Sequence, residues 1–492
     1  NGAQIPGLDP EKNTVQMDIF PSNVIENIVV RKTFTPDMPG ESTGGNVDIT
    51  TKDFPEQMNL HFSAKVGYNP QANLNNDFLD YTGGDTDWLG MDDGSRDIPS
   101  IAEYYLELNQ QISRTGYTEP QLHDISSAFN PEMAPTTKKS GLDQEYKFTF
   151  GNQNTFGESA IGYNLALSYS SEYDYYNDGE FGLYEEDINP SPWKVFNPVQ
   201  YSGHGVNLAA LANIAFKINQ NNKIGFAYLR NQSGKKTSIR RDGYFYYESR
   251  YDTDRSMGWL QRVFDSYQLD GKHVINSLGG LTANWMFSYV KMNQDEPDLR
   301  FFETLQEDPN DTVMYLKTND KPGRFYRFME EENINAKVDF ELPLTIRGDN
   351  AKIKFGGAYV NKDRDLQDTK FDLDNIYTKL YTTDVNQFLI EDVITIDNPL
   401  GYIYKADREQ DKNNSYQAGQ YIIAGYAMID FLLVNNLRLV GGLRIEKSFM
   451  DVKNLVPETD NKYKSGELDE MDFLPSLQLI YALNETMNLR LG

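Results

Sequence analysis

From Leu60 onward the chain repeats one pattern, segments in which every second position is apolar and the positions between are polar. The first places Leu60, Phe62, Ala64, Val66 and Tyr68 on one face and His61, Ser63 and Lys65 on the other. It returns through Tyr146, Phe148 and Phe150, and through Ile161, Tyr163, Leu165, Leu167 and Tyr169. Further copies run over Leu208 to Phe216, Ile224 to Tyr228 and, more weakly, 259–269, then over Leu281 to Tyr289, Ile334 to Phe340 and Ile353 to Tyr359. Residues 421–431, 437–445, 477–481 and 487–491 complete the series. A period of two is that of a β-strand with one apolar face, and about thirteen such strands are predicted.

The connections alternate in length. Long ones cover residues 69–145, 170–205, 232–258, 291–332, 361–420 and 447–473; short ones cover 152–159, 218–223, 270–280, 343–350, 433–436 and 482–486. Strands running up and down through one layer put alternate connections on opposite sides, so one side gains tight turns and the other long loops. That is the arrangement of outer-membrane barrels, with short periplasmic turns and long extracellular loops, and a soluble sandwich has no reason to keep it. Tyrosines at strand ends (Tyr68, Tyr146, Tyr169, Tyr228, Tyr289, Tyr359, Tyr481) suit the aromatic girdles of a membrane barrel, although tyrosine is favoured in strands generally. The expected fold class is therefore all-β, a transmembrane antiparallel β-barrel.

Composition narrows the picture. Across 492 residues the formal net charge is −27, which argues against nucleic acid as a partner. There is no cysteine, so disulfides and thiolate metal sites are excluded. Mean hydropathy is −0.62 and no run is long and apolar enough for a transmembrane helix, a test that a barrel strand need not pass.

The residues before Leu60 differ. Pro21 to Glu26 reads as a short helix with Ser22 as its cap, and Ile28 to Lys32 as a strand. Thr35-Pro36-Asp37-Met38-Pro39-Gly40 forces a turn, Gly44-Gly45 a second, and Asn46 to Thr51 a closing strand. In this order Ile25-Glu26-Asn27-Ile28-Val29-Val30-Arg31-Lys32 and Gly44-Gly45-Asn46-Val47-Asp48-Ile49-Thr50-Thr51-Lys52 resemble the end of the plug domain of TonB-dependent outer-membrane transporters. There "IExIxVxK" leads through a Pro/Gly-rich turn to "GGxVxIxTK", and the barrel follows. Asn1-Gly2 resembles the end of an earlier plug strand, and "DFLPSLQLIYALNETMNLRL" at residues 472–491 resembles a mid-barrel hairpin.

The resemblance implies residues 1–55 as the C-terminal part of a small α+β plug and 56–492 as an incomplete barrel, about thirteen strands of the family's roughly 22. The chain is expected to be truncated at its N-terminus and to lack the later strands. It implies import of a scarce nutrient (iron chelate, peptide, oligosaccharide or cobalamin) across the outer membrane of a Gram-negative bacterium. TonB and its inner-membrane energising complex would be partners, with membrane lipid and lipopolysaccharide around the barrel. The turn sequence does not match glycan importers that pair with a surface lipoprotein, so no lid lipoprotein is expected. No cofactor is implied.

Lys32 falls where plugs of this family carry a basic residue that meets acidic residues of the wall, with Arg31 as its neighbour and Arg444 and Glu446 as candidate wall partners. The alternative is an ordinary strand-end lysine. The segment after Asn1-Gly2 occupies the place of an apical, ligand-touching loop, which makes Leu8, Asp9, Glu11 and Lys12 candidate contacts. Asp85, Asp87, Asp92 and Asp93 cluster beside Trp88, but their spacing misses the EF-hand register, so a solvated acidic loop is the alternative to a Ca²⁺ site. Ser100-Ile101-Ala102-Glu103 reads as a capping box opening a helix over 104–113, and 120–129 as a second helix. These helices would fold over a ligand or cover the barrel mouth. No nucleophile, paired-carboxylate or phosphate-loop pattern marks an active site, so an enzyme is not expected. A surface barrel without transport, or a secreted all-β binding protein, are the rival readings.

Overall fold

The computed structural model describes residues 2–5, 7, 25–42, 45–51, 55–108, 110–113, 116–186, 191–308, 315–316, 323–375, 402–406, 411, 414–455, 465–484 and 486–492. Two short strands, β1 (Ile25–Arg31) and β2 (Asn46–Thr51), form an antiparallel ribbon. Then come β3 (Asn59–Gly67), β4 (Leu79–Asp80), α1 (Ser100–Glu107), α2 (Glu119–Ser127) and β5 (Thr136–Thr137). The long strands follow: β6 (Asp143–Phe156), β7 (Ser159–Tyr184), β8 (Pro192–Asn219), β9 (Asn222–Phe245), β10 (Arg250–Ile275) and β11 (Leu281–Gln306). After β12 (Tyr315–Leu316) come β13 (Gly323–Ile346), β14 (Asp349–Asn375) and β15 (Tyr402–Ala406). The series ends with β16 (Tyr416–Val434), β17 (Leu437–Asn454), β18 (Ser465–Asn484) and β19 (Met487–Leu491).

The predicted strands pair with their neighbours in chain order, from β3 and β6 through β11, β13, β14 and β16 to β19; β12 and β15 are added on β11 and β14. Every pairing is antiparallel, and β3 and β19 form the open edges among the described residues. The short connections are where the sequence puts them. Arg347 and Gly348, both at positive φ, turn β13 into β14 in two residues, the geometry a twisted hairpin favours.

Five of the long connections are corrected, since 291–306, 323–332, 361–375, 447–454 and 465–473 are strand, as is most of the two stretches between β7 and β8 and between β9 and β10. Residues 170–205 and 232–258 are mostly strand: β7 runs to Tyr184 and β8 starts at Pro192, and only 246–249 separate β9 from β10. These stretches lack the apolar/polar alternation because there the outer face packs under other parts of the chain, as Tyr173 and Tyr175 do under Phe78, and no longer stays apolar throughout. The wall thus continues well past its tyrosine ring, Tyr169 to Tyr184 on β7 being one example.

The two faces are distinct. Leu165, Ile214, Phe226, Leu269, Phe287, Val338 and Phe355 are exposed on the outer face. The inner face wraps the β1–β2 region. Ile49, Ile25 and Ile5 pack on Ala166, Leu211, Leu229, Phe264, Val290, Met292, Met329 and Leu366, an apolar arc contributed by every main-sheet strand from β7 to β14. The helix expected over Pro21 to Glu26 lies partly outside the described residues, and Ile25 and Glu26 belong to β1.

The connection between β3 and β6 (residues 68–142, the strap) is the other large feature. It lies across the outer face of the wall, beyond the tyrosine ring. Register between β13 and β14 is unbroken from Gly323 to Ile346, so the alternation that turns Val338 and Phe355 outward also turns Arg324, Tyr326 and Phe371 outward. Those residues receive the strap. Ala102 and Leu106 of α1, and Leu122 and Ile125 of α2, form one buried cluster with Phe302, Tyr326, Phe371 and Tyr404. Buried Arg300 and Arg324 share the carboxylate of Asp298 at 2.7 Å, and Glu132 lies 4.0 Å from Arg300, so two carboxylates face the two cations. The helices therefore clasp the outside of the wall instead of covering its mouth. Their capping also differs from expectation. Pro99 precedes α1, which ends at Glu107, whereas α2 carries the capping box, with the Thr118 amide donating to Gln121 Oε1 at 2.9 Å.

Candidate functional site

The candidate site is built around the turn at residues 34–41, which the structure places against the inner face of the wall. Pro36 and Pro39 deny it regular structure, and the Met38 amide closes it on the Thr35 carbonyl at 2.9 Å. Pro36 and Met38 are buried. Its backbone groups, freed from any ladder, are taken up by wall side chains, as buried backbone polar groups require.

Arg444 and Glu446 both point inward from β17, two residues apart on the face opposite Leu443 and Ile445. Arg444 Nε donates to Glu446 Oε1 at 2.6 Å, and both side chains are buried. Glu446 Oε1 also accepts the Gly40 amide at 3.1 Å, while Arg444 Nη1 donates to the Pro36 carbonyl at 3.4 Å. The Phe34 carbonyl accepts from Ser476 Oγ at 3.0 Å and Gln478 Nε2 at 2.8 Å on β18. The Asp37 carbonyl accepts from Lys337 Nζ of β13 at 3.4 Å, and its carboxylate lies 3.9 Å from Lys354 Nζ of β14. Glu41 lies 3.9 Å from Lys362 of β14 and accepts from Gln420 of β16 at 3.1 Å. One eight-residue turn is thus tied to five strands of the wall.

Lys32 is not among these ties. It follows the end of β1, is exposed, and makes no ion pair with any described residue. Arg31 reaches Asp37 at 3.6 Å inside the turn itself. The basic side of the contact is supplied mainly by the wall, through Lys337, Lys354, Lys362 and Arg444, and the acidic side by Asp37 and Glu41 of the turn. Sequence reasoning missed Asp37, Glu41 and the lysines. The available signal was the run of cations at inward positions of β13 and β14. Leu8, Asp9, Glu11 and Lys12 lie outside the described residues.

The acidic cluster is organised by a cation of its own. Arg96 donates to Asp87 at 2.7 Å and to Asp92 at 2.6 Å, with its guanidinium over the Trp259 ring at 4.6 Å. Burial opposes its charge, but the Asp87 and Asp92 carboxylates outweigh that and hold its pKa above the usual range. Asp93 accepts the Asp85 amide at 2.6 Å, shaping the loop. Among the described residues no group of three or more His, Asp or Glu side chains is set to hold a metal ion. Nearby, beneath the strap, His204 stacks on Tyr173 at 4.2 Å, and burial together with Lys236 pushes its pKa down.

Towards the long-loop end from the apolar arc, the inner face becomes polar. A groove of about 360 Å³ is lined there by Glu145, Lys147, Glu172, Asp174, Lys235 and Arg262. Charges of both signs face the lumen over β6 to β10, with Lys235 3.4 Å from Asp174.

The model of the family described as TonB dependent receptor-like, beta-barrel matches residues 199–492, more than half of the chain. The chain belongs to this TonB-dependent receptor family. No curated protein matches it in sequence. The siderophore receptor PiuA from Acinetobacter baumannii is similar in structure, at 9% identity and a TM-score of 0.48, over 94% of this chain and 53% of that one. The chain thus spans about half the length of that receptor. The matched residues take in the strands from β9 to β19, which belong to the fifteen-stranded sheet.

Proposed function

We propose that this chain is the greater part of an active importer of the outer membrane, with residues 1–55 the C-terminal part of the plug and 56–492 wall. The long connections lie outside the cell and the short turns in the periplasm. A nutrient ligand (iron chelate, peptide, oligosaccharide or cobalamin) binds from outside, and TonB, energised by its inner-membrane complex, shifts the plug to let the ligand pass. The reading assigns no bond-making step. The observation that carries it is the inner turn, attached to five wall strands by hydrogen bonds and ion pairs while the ribbon beside it rests on an apolar arc. Such an attachment is strong enough to close a barrel at rest, and its polar ties can be exchanged for water when the plug is pulled. The groove bearing Lys235, Arg262 and Glu172 offers a polar ligand contacts of both signs.

The test is uptake by cells carrying or lacking the full-length protein, each with TonB intact or inactivated, supplied with labelled members of the four ligand classes. Accumulation of one class that needs both proteins is expected. Equal accumulation of all four in every strain would overturn the proposal.

A further inference from the structure

The strap carries a feature that its packing does not use. Trp88 sits in a 3₁₀ turn, Asp87–Leu89, that is fixed rigidly to the outer face of the wall. Gln232 Nε2 of β9 donates to the Gly90 carbonyl at 2.6 Å. Gly90, at φ +69°, lies so flat on the sheet that a β-carbon there would stand 2.9 Å from the Gly234 amide nitrogen and 3.2 Å from the Val206 carbonyl. Arg96 clamps the same turn through Asp87. Yet the Trp88 side chain is 59% exposed. Its height is fixed by a further contact, because the Trp88 carbonyl accepts the Tyr169 hydroxyl at 3.1 Å. Tyr169 belongs to the ring at the edge of the apolar band, 6.1 Å from Tyr146 and on the same face as exposed Leu165 and Leu167. An indole held at that level by a rigid turn has one apolar phase within reach, the boundary between headgroups and acyl chains, where tryptophan is favoured.

We propose that the strap is seated on the outer leaflet through Trp88, whose ring enters the headgroup–acyl boundary beside Tyr169. This rests on the reading of the chain as an outer-membrane barrel. The strap is then fastened twice, to the wall by its helices and to the lipid by its lowest turn. The recognised partner is the apolar–polar boundary of a lipid layer, and no particular headgroup is required.

The test uses full-length protein labelled with 5-fluorotryptophan and reconstituted in bilayers, with the fluorine resonances assigned by Trp→Phe variants. Trp285 is the internal standard for lipid contact, since it lies on β11 two residues from exposed Phe287 and pairs with outward-facing Val338. Trp193, 45% exposed at the far rim, is the standard for water. A lipid carrying a nitroxide near its headgroup should broaden Trp88 and Trp285 and spare Trp193, and an aqueous gadolinium chelate should do the reverse. Trp88 behaving like Trp193 while Trp285 senses the lipid would overturn the seat and leave the barrel intact. Trp285 failing to sense lipid as well would overturn the membrane reading and the seat with it.

Discussion

Glu446, on the wall, accepts the backbone amide of Gly40, in the inner turn, at 3.1 Å. A side chain there fits only if the Glu446 carboxylate gives up its place beside Arg444. A β-carbon at Gly40 would collide with the Glu446 carboxylate and stand 2.8 Å from Leu474 Cδ1. Gly40→Ala should therefore push the turn off β17, costing about 1–3 kcal/mol of plug docking while leaving the barrel folded. Passive entry of small antibiotics into cells should rise, and the heat-resistant migration of the barrel on gels should not change. Unchanged permeability would mean that the turn accommodates the methyl group by moving elsewhere.

The Arg444–Glu446 pair should behave as a buried ion pair. Arg444→Ala strands a buried carboxylate beside Gly40 and should cost about 3–5 kcal/mol of docking. Glu446→Gln keeps an acceptor for the Gly40 amide and should cost less, and the double variant Arg444→Ala, Glu446→Gln should recover part of the loss. Permeability measured across this cycle checks the order. Additive losses would show that the two residues grip the turn independently.

The barrel was legible because selection keeps one face of each strand apolar: residues such as Leu165, Phe287 and Phe355 recur with period two along the outer face. Beyond Tyr169 that selection ends, so Tyr173 and Tyr175 packing under Phe78 look like loop residues while being strand. Arg444 and Glu446 were visible as charges on the inward face of a readable strand. The motif that contains Lys32 says nothing of where its side chain goes. Its role passes to Asp37 and Glu41, which no local pattern distinguishes from turn residues in general. The strap was the least legible, because its partners Phe302, Tyr326 and Phe371 are strand residues whose covering comes from 168 or more positions away, counted from Ala134 to Phe302, a contact no short-range period encodes.

Docking of the strap should depend on pH through Asp295. This residue lies on β11 beyond the tyrosine ring, and burial, followed by the charges of Asp92 and Glu330, raises its pKa to about 6. The docked state thus holds a proton that the free state, near 3.8, releases. The stabilisation is complete below the free value and is lost as pH rises through about 6. Asp295→Asn should remove this dependence and tighten the strap at neutral pH. Hydrogen exchange of the amides at 85–97, corrected for intrinsic rates, should slow on acidification in the wild type and stay constant in the variant. A variant with the same pH response would place the titration on another group.

The two faces of β11 give the sharpest test of how the wall sits in the membrane. Phe287 is exposed on the outer face, and Asn284 lines the inner cavity with Lys337 and Asp339. The residues are three apart, so they lie on opposite faces about 10 Å apart along the strand. Arginine at a lipid-facing site near the midplane costs about 2–4 kcal/mol, because the charge must leave water or drag it into the hydrocarbon. At a lumen site the guanidinium keeps water and gains the Asp339 carboxylate. Phe287→Arg should therefore destabilise the folded barrel by about 2–4 kcal/mol in lipid, and Asn284→Arg by less than about 1 kcal/mol. Leu165→Arg on β7 should repeat the larger loss, since its side chain shares the outer face. Denaturant titrations of the full-length protein in bilayers measure all three. Equal losses at Phe287 and Asn284 would mean that both faces of β11 meet the same medium, which a lipid-embedded wall does not allow.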